Sequence, residues 1–443
     1  MKLYDSLSSE VKEIDVPKYC IYTCGPTVYS YIHIGNARPL ILTDIIIRYL
    51  DYKNIKHKYL LNITDIDDKI INQAEVEGIP EEDYAKKYTE SFLEDMKNLN
   101  VKKPEKIISI SEKINEIVDF IDMLIKSGHA YEVDGDVYFN VKSLEQKYGN
   151  LSKQSIEELE VGNRIEENKN KINPQDFVLW KKTTKGKKWL SKWSLGRPGW
   201  HTECVALIDG FFSNTIDIHV GGIDLKFPHH ENERIQYIAK KSCELSNVWL
   251  HNGHLSIDNI KMSKSLKNTI LVKDFIRDYG ANELRYIFLN SNYKQPININ
   301  QETLKQSSEW VSKIENLLRK MNWSIACDYI KTNNKTPIDD DFNSYNYVSR
   351  FRSYINNDLN TPMIISLINE MVKNINKQLA FKEVDKTYEK LVLIINTLGF
   401  RFDIKNLNSE NVKKIREWQG ALLKKDFEVA DKLREELKHE KII

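Results

Sequence analysis

Tyr19-Cys-Ile-Tyr-Thr-Cys-Gly-Pro-Thr-Val-Tyr-Ser-Tyr-Ile-His-Ile-Gly-Asn-Ala-Arg38 is the stretch on which the fold turns. Tyr19 to Cys24 is β-prone, Gly25-Pro26 breaks the strand, and helix-spaced apolar residues run from Ala37 to Leu50. Strand, tight turn and helix make half of a βαβ unit. A second short strand, Lys58 to Ile63, leads into the acidic turn Thr64-Asp-Ile-Asp-Asp68, and helical patterns follow over Asp83 to Asn98 and Ile110 to Lys126. This alternation predicts a parallel α/β sheet.

From about Lys106 to Lys187 the texture changes to short mixed elements, such as Asp136-Val-Tyr-Phe-Asn140, and a charged loop around Glu166 to Lys171. The α/β pattern returns at Thr215-Ile-Asp-Ile-His-Val220, a buried-strand pattern ended by Gly221-Gly222, so the sheet is expected to be split by an insertion. Beyond Gln301 the chain reads as helical, with segments near Gln301 to Lys320, Ser366 to Lys377, Val384 to Asn396 and Val412 to Lys438. The expected organisation is 1–105 and 188–250 for the two halves of the α/β domain, 106–187 for the insertion, 251–300 for a loop region, 301–400 for a helical bundle and 401–443 for terminal helices.

At 443 residues the chain has room for about three domains with substantial cores. It carries 65 basic and 64 acidic residues and is 41% apolar, too apolar for a disordered chain, and a net charge of +1 names no partner. The most apolar run, Leu40 to Ile47, is interrupted by Thr43 and Asp44 and is far shorter than the ~18 residues a membrane span needs. The amino terminus has acids at Asp5, Glu10, Glu13 and Asp15 and no apolar h-region, which predicts a cytoplasmic protein without a secretory signal. Five cysteines are then expected as thiols or metal ligands rather than disulfides.

Two short motifs point to phosphate chemistry. His33, Gly35 and Asn36 fall where a strand turns into a helix, and free backbone N–H groups and the helix dipole attract phosphate there; Asn36 could equally be a simple cap. Lys261-Met-Ser-Lys-Ser265 places two lysines and two hydroxyls on a loop able to wrap a triphosphate, although such a turn alone could be merely solvated. A third constellation suits a metal: Cys24, Cys204 in Gly199-Trp-His-Thr-Glu-Cys204, and His229 with Glu233 in Phe227-Pro-His-His-Glu-Asn-Glu233. His229 and Glu233 are four apart, on one face of a helix, and thiolate, imidazole and carboxylate all ligate zinc. His230 and Glu231 are supporting or surface candidates, and Cys20, Cys243 and Cys327 read as small hydrophobes.

His33-Ile-Gly-Asn36 and Lys261-Met-Ser-Lys-Ser265, in this order, resemble the two signatures of class I aminoacyl-tRNA synthetases. Thr23-Cys-Gly-Pro-Thr-Val-Tyr29, Asn62-Ile-Thr-Asp-Ile-Asp-Asp-Lys69, Asp176-Phe-Val-Leu-Trp-Lys181, Gly196-Arg-Pro-Gly-Trp-His201 and His219-Val-Gly-Gly222 further resemble the cysteinyl-tRNA synthetase family. The resemblance covers roughly residues 1 to 300, with echoes in Asp358-Leu-Asn-Thr-Pro362 and Lys425-Asp-Phe-Glu-Val-Ala-Asp431. It implies an α/β, Rossmann-like catalytic domain split by an insertion, then an all-α bundle and anticodon-binding region. It also implies one zinc ion on Cys24, Cys204, His229 and Glu233, with Thr64 and Trp200 around a bound L-cysteine. ATP, with its Mg2+, would meet His33, Gly35, Asn36, Gly221, Gly222, Asp224, Lys261, Ser263 and Lys264, of which His33, Asn36, Lys261 and Lys264 are the catalytic candidates.

The implied reaction activates cysteine as an adenylate and then charges tRNA(Cys), with a monomer as the acting species. Three departures stand out: Asn36 where the family has a second histidine, Lys267 where glycine is common, and an end at Ile443 without the family's β-rich tail. A cysteine:amino-sugar ligase of mycothiol synthesis and a catalytically silent RNA-binding paralogue are the alternatives. The long helical segment favours the first reading over the ligase, and the intact signatures and metal ligands favour it over the paralogue.

Overall fold

A computed structural model describes residues 1–154, 170–263, 266, 268–332 and 347–443. They form two compact units, 1–277 with 293–298, and 278–292 with 299–443.

The first unit opens with an antiparallel hairpin, β1 (Lys2–Asp5) and β2 (Glu10–Glu13). There follow β3 (Lys18–Thr23), α1 (Ile34–Tyr52), β4 (Lys56–Ile63), α2 (Asp68–Glu77), α3 (Glu81–Asn98), β5 (Lys106–Ser109) and α4 (Ile114–Lys126). Next come β6 (Ala130–Val133), β7 (Asp136–Phe139), β8 (Phe177–Lys182), β9 (Trp189–Leu190) and β10 (Leu195–Pro198). The α/β pattern then resumes with α5 (Trp200–Phe212), β11 (Ile216–Gly222), α6 (Glu231–Lys241) and β12 (Ser246–Asn252), and closes with the hairpin β13 (Leu255–Ile257) and β14 (Ile260–Lys261).

The core sheet has the order β12-β11-β3-β4-β5, and every pairing in it is parallel. Such a sheet is stable only with both faces covered. β11 is buried along nearly its whole length, and α1 is buried almost all round from Ile34 to Leu50. That burial explains why Leu40 to Ile47 reads as a continuous apolar run rather than a stripe. Among the described residues, no helix is long and apolar enough to cross a membrane.

The inserted strands make a separate sheet, β6-β7-β8-β10-β9, whose pairings are antiparallel. Its limits differ from the expected 106–187. β5 pairs with β4 in the parallel sheet, and the second sheet continues to Pro198 because β8 and β10 pair directly, Lys181 opposite Arg197. The expected charged loop at Glu166 to Lys171 lies outside the described residues as far as residue 169.

α7 (Val272–Asp278) runs up to the division between units. The second unit is built from α8 (Ala281–Leu289), α9 (Gln301–Ala326), α10 (Tyr347–Asn356), α11 (Thr361–Ala380), α12 (Thr387–Thr397), α13 (Ser409–Lys424) and α14 (Phe427–His439). The only strands among its described residues that contradict an all-helical reading are the two-residue pair Lys331–Thr332 and Glu383–Val384. Val412 to Lys438, read as one segment, is two helices. Lys425 takes a left-handed conformation (φ 59°), and the Asp426 carboxylate caps α14 by accepting from Val429 N at 3.3 Å. The two helices close over a small core of Cys327, Ile415, Leu437 and Ile442.

Candidate active site and metal centre

β3 and β11 are neighbours, but the chain proceeds from β3 through β4 to β5 on one side and from β11 to β12 on the other. Their carboxyl ends therefore mark the sheet's topological switch point, where open α/β sheets bind ligands. Cys24 follows β3 there, its N–H donating to Val220 O at 3.4 Å, and Gly221-Gly222 ends β11 beside it. Gly25 has no alternative: a Cβ would lie 1.7 Å from Asn62 O. Its N–H donates to Asn62 Oδ1 at 2.7 Å, which also accepts from the Tyr22 hydroxyl at 2.8 Å.

The four expected metal ligands converge. One donor atom from each of Cys24, Cys204, His229 and Glu233 lies within 4.8 Å of the others, and Cys204, His229 and Glu233 are buried. Cys204 comes from α5, Glu233 from α6, and His229 from the turn just before α6, where it still meets Glu233 at 2.7 Å. His219 on β11 holds the other Glu233 oxygen at 2.7 Å, orienting the carboxylate as outer partners of metal ligands do.

The four groups are strongly coupled in charge. Burial alone would keep Glu233 protonated, but His229 and His219 outweigh it and hold Glu233 well below the usual carboxylate range. Against its own burial penalty, His229 is raised to about 10 by Glu233 and Cys204. Burial and then Cys204 push the Cys24 thiol well up, whereas the hydrogen bond from Cys24 draws Cys204 down to about 7. Two sulfurs and a carboxylate this close cannot all be anionic unless a positive charge sits among them. This donor set fits a tetrahedral zinc-type ion.

Around the quartet lies a histidine network of which the sequence pointed only to His230, as a supporting candidate. His230 Nδ1 is 2.9 Å from His251 Nε2, Cys24 Sγ is 3.3 Å from His230 Nε2, and His201 Nδ1 is 3.1 Å from His229 Nδ1. Burial lowers His201 and His251 to about 3, so both are neutral. Cys24, His219, His230 and Glu233 form a second convergent set sharing two residues with the first. Glu231, a supporting or surface candidate, is buried and accepts from Leu151 N and Ser152 N, both at 2.8 Å, a structural role. Of the other cysteines, Cys327 is buried and Cys20 half-buried as expected of small hydrophobes, but Cys243 is exposed.

Beside the cluster, a cavity of about 470 Å³ is lined by Cys24, His33, Gly35, Asn36, Trp200, Gly222, Asp224, Lys261 and Ser263, with His254 and Met262. Both signature segments thus face one space. The first is held by backbone to the segment that follows the second: Ile34 N donates to Ile270 O and Val272 N to Ile32 O, each at 3.0 Å. Gly35 allows a close approach, since a Cβ would lie 2.9 Å from the His33 ring and 3.0 Å from the end of Met262, either of which would have to shift. Asn36 Oδ1 accepts from His33 N at 3.1 Å, so the capping role is real and the amide oxygen is engaged by the helix start.

Two expected contacts fall elsewhere. Gly221 does not line the cavity but packs on His230, whose ring would be 2.5 Å from a Cβ there. Thr64 is buried beneath, bonded to Asn62 Nδ2 at 3.2 Å and to Glu203 at 3.3 Å. The Thr64 hydroxyl accepts from Asn62 and donates to Glu203 Oε2, and burial holds Glu203 well above the usual carboxylate range. Trp200 stacks on His229 at 4.2 Å. Lys264, Ser265 and Lys267 lie outside the described residues.

Residues 10–309 match the family model described as the tRNA synthetases class I (C) catalytic domain, and residues 350–403 match the DALR domain. A cysteine–tRNA ligase of Mycoplasma mycoides is 48% identical, and one of Mesoplasma florum 46% identical, over 99% of this chain and 99% of each relative. The chain belongs to the cysteine–tRNA ligase family. Its fold is that of class I synthetases generally. A Mycobacterium tuberculosis methionyl-tRNA synthetase in complex with methionyl-adenylate superposes with a TM-score of 0.62 at 13% identity, over 86% of this chain and 90% of the other. Family membership accounts for the enzyme class, and a Cys/His/Glu cluster able to hold a metal is what the geometry adds.

Proposed function

We propose that the chain ligates L-cysteine to tRNA(Cys) in two steps, with ATP-dependent adenylate formation followed by transfer to the 3'-terminal ribose. One observation carries this reading: the sulfur, imidazole and carboxylate donors cluster around Cys24, which itself lines the cavity that both signature segments line. Cys24, Cys204, His229 and Glu233 would hold zinc, which supplies a soft Lewis acid able to take a thiolate. Mg2+ would arrive with ATP rather than occupy a protein cage. The acting species in this proposal is a cytoplasmic monomer.

The cysteine carboxylate attacks the α-phosphate and pyrophosphate leaves, so the protein's work is positioning and charge stabilisation. His33, at the start of α1, and the amide end of Asn36 would face the phosphates, where the N-terminus of a long helix also favours negative charge. Asn36 cannot titrate, and its engaged oxygen leaves the NH2 as its donor end. Lys261 and Ser263 line the same cavity, with Lys264 assigned to the leaving pyrophosphate by resemblance. Asp224 and Gly222 would bound the nucleoside side. Trp200 would close over the bound cysteine, and Thr64, bonded to Glu203, would support that wall from below.

The test is cysteine-dependent exchange of pyrophosphate into ATP, followed by a choice of acceptor. Exchange with charging of tRNA(Cys) is expected. Exchange with cysteine appearing on an amino sugar, or no exchange at all, would remove this reading.

tRNA binding is assigned chiefly to the helical unit. Its distal lysines differ in availability: Lys414 is paired with Glu440 at 2.7 Å and Lys413 lies 3.9 Å from Glu417, whereas Lys424 and Lys425 are exposed at the α13–α14 turn. Replacing Lys424 and Lys425 together with alanine should leave exchange unchanged and flatten the slope of log affinity for tRNA against log salt by about 1 to 2. An unchanged slope would take these two lysines out of the interface.

A further inference from the structure

β12 is an edge of the parallel sheet, where backbone donors and acceptors lack a further strand to pair with. The amino-terminal hairpin meets them at one residue. Trp249 N donates to Asp5 Oδ1 at 2.9 Å, and Ser6 N donates to Trp249 O at 3.0 Å. Lys12 on β2 donates to Asn247 O at 3.0 Å and pairs with Asp5 Oδ2 at 2.7 Å. Asp5 is fully buried, and its two oxygens have separate tasks. Oδ1 serves Trp249 N and Leu7 N, whereas Oδ2 serves Ser8 N and Lys12. Burial opposes its charge, but Lys12 and these N–H groups outweigh it and hold Asp5 below the usual carboxylate range.

The Trp249 indole carries this anchor into the metal centre. Trp249 and His219 stand directly opposite each other in the β11–β12 ladder, and their rings stack at 4.4 Å with 23° between the planes. Tyr22 and His230 meet the His219 ring edge-on, at 5.1 and 4.4 Å. His219 Nε2 holds Glu233 Oε2 at 2.7 Å, but Nδ1 is buried with no hydrogen-bond partner among the described residues. A single hydrogen bond leaves a ring free to turn about that bond, so packing must set its plane. The indole Nε1 is likewise buried without a partner, so Trp249 keeps its place through its backbone bonds and ring packing.

We propose that Trp249 is a positioning residue for the metal centre and that Asp5 is its anchor: the hairpin fixes the Trp249 backbone, the indole fixes the plane of His219, and His219 aims the Glu233 carboxylate at the metal. The inference rests on the reading of the quartet as a zinc site and deepens it by naming what orients one ligand from outside. Outer partners of this kind are worth about 10- to 100-fold in metal affinity. A metal that selects cysteine by taking its thiolate depends on that aim, whereas binding of ATP in the neighbouring cavity does not.

The experiment uses the full-length enzyme, loaded with zinc to follow release to a chelator and with cobalt to record its absorption bands. Trp249→Leu keeps the backbone bonds and removes the ring, and Trp249→Phe keeps a smaller ring over His219. Zinc release should be about tenfold faster in the leucine variant, the low end of what outer partners supply, and the cobalt bands should shift. In pyrophosphate exchange KM for cysteine should rise by a similar factor while KM for ATP stays within about twofold of the parent. Phenylalanine should restore most of both. Asp5→Asn keeps the Oδ1 acceptor for Trp249 N and loses the Oδ2 partners, whereas Asp5→Ala loses all of them. Both should lower the urea midpoint, but only alanine should move zinc release and the cobalt bands. Zinc release and cobalt bands like the parent's in Trp249→Leu would overturn the proposal. Equal metal readouts in the two Asp5 variants would overturn it too, because Asp5 would then act on the fold alone. Should leucine prevent folding, Trp249→Phe and the two Asp5 variants carry the test. A parent enzyme that binds no stoichiometric zinc would instead remove the zinc reading on which the proposal rests.

Discussion

Replacing Cys204 with alanine should abolish stoichiometric zinc and collapse the preference for cysteine over serine. The two substrates differ by one atom of similar size, and a shaped pocket separates such neighbours by only about 1 to 3 kcal/mol. A thiol coordinated at a zinc-type site is deprotonated, whereas a hydroxyl is a far poorer ligand at neutral pH. The alanine variant removes one of four donors that now lie within 4.8 Å of one another, leaving Cys24, His229 and Glu233. The remaining set still contains a carboxylate that His219 holds at 2.7 Å, so the scaffold around the gap should persist. Activation should therefore fall steeply for cysteine and little for serine, and the residual preference should shrink to about 10- to 200-fold, the range that shape alone supplies. Zinc content and kcat/KM for both amino acids decide the matter. A metal-free variant that still prefers cysteine by several orders of magnitude would show that the pocket makes the choice.

That the quartet can be read from the sequence while its surroundings cannot has a physical cause. Cys24 adjoins a strand-breaking Gly25-Pro26, and His229 and Glu233 stand at helical spacing, so local patterning exposes them. His219, His230 and His251 belong to β11, the turn before α6, and β12, and they meet only because β11 and β12 lie side by side. Nothing local in Ser246-Asn-Val-Trp-Leu-His-Asn252 announces a buried strand. Four of its seven residues are polar, yet all but Asn247 are buried, since His251 finds His230 at 2.9 Å and the Ser246 hydroxyl donates to Val248 O at 2.8 Å. The helix break at Lys425 was invisible for a related reason: a lysine in left-handed conformation leaves no compositional mark where a glycine would have. The insertion's limits slipped because pairing of β8 with β10 is a long-range fact that residue types near 187 do not encode.

Arg38→Met should destabilise the first unit by about 1 to 3 kcal/mol and slow adenylate formation with it. Arg38, just beyond His33-Ile-Gly-Asn36 on α1, is 2% exposed. Its Nη1 donates to Gly253 O at 2.6 Å and His254 O at 3.3 Å, and its Nη2 to Tyr293 O at 3.0 Å and Gln295 O at 2.7 Å. Burial lowers its pKa to about 10, so the guanidinium is still charged at neutral pH. Methionine keeps the packing of the apolar stem but supplies no donor, so the Gln295 carbonyl is stranded while those of Tyr293, His254 and Gly253 keep Gly253 N, Ile297 N and Asn252 Nδ2. Two of the four carbonyls belong to Gly253 and His254, which line the cavity opposite His33 and Gly35. The same arginine therefore ties the start of α1 to the far wall of the site, and loosening it should widen the gap that the phosphates must bridge. Urea unfolding of the variant should show a lower midpoint, and pyrophosphate exchange should lose kcat more than it gains KM for cysteine, because the metal quartet lies on other elements. Arg38→Lys, with three donors on one nitrogen and no planar fork, should fall between the two. A methionine variant with the parent's midpoint and exchange rate would show that the remaining backbone donors suffice and that the tie has no part in shaping the site.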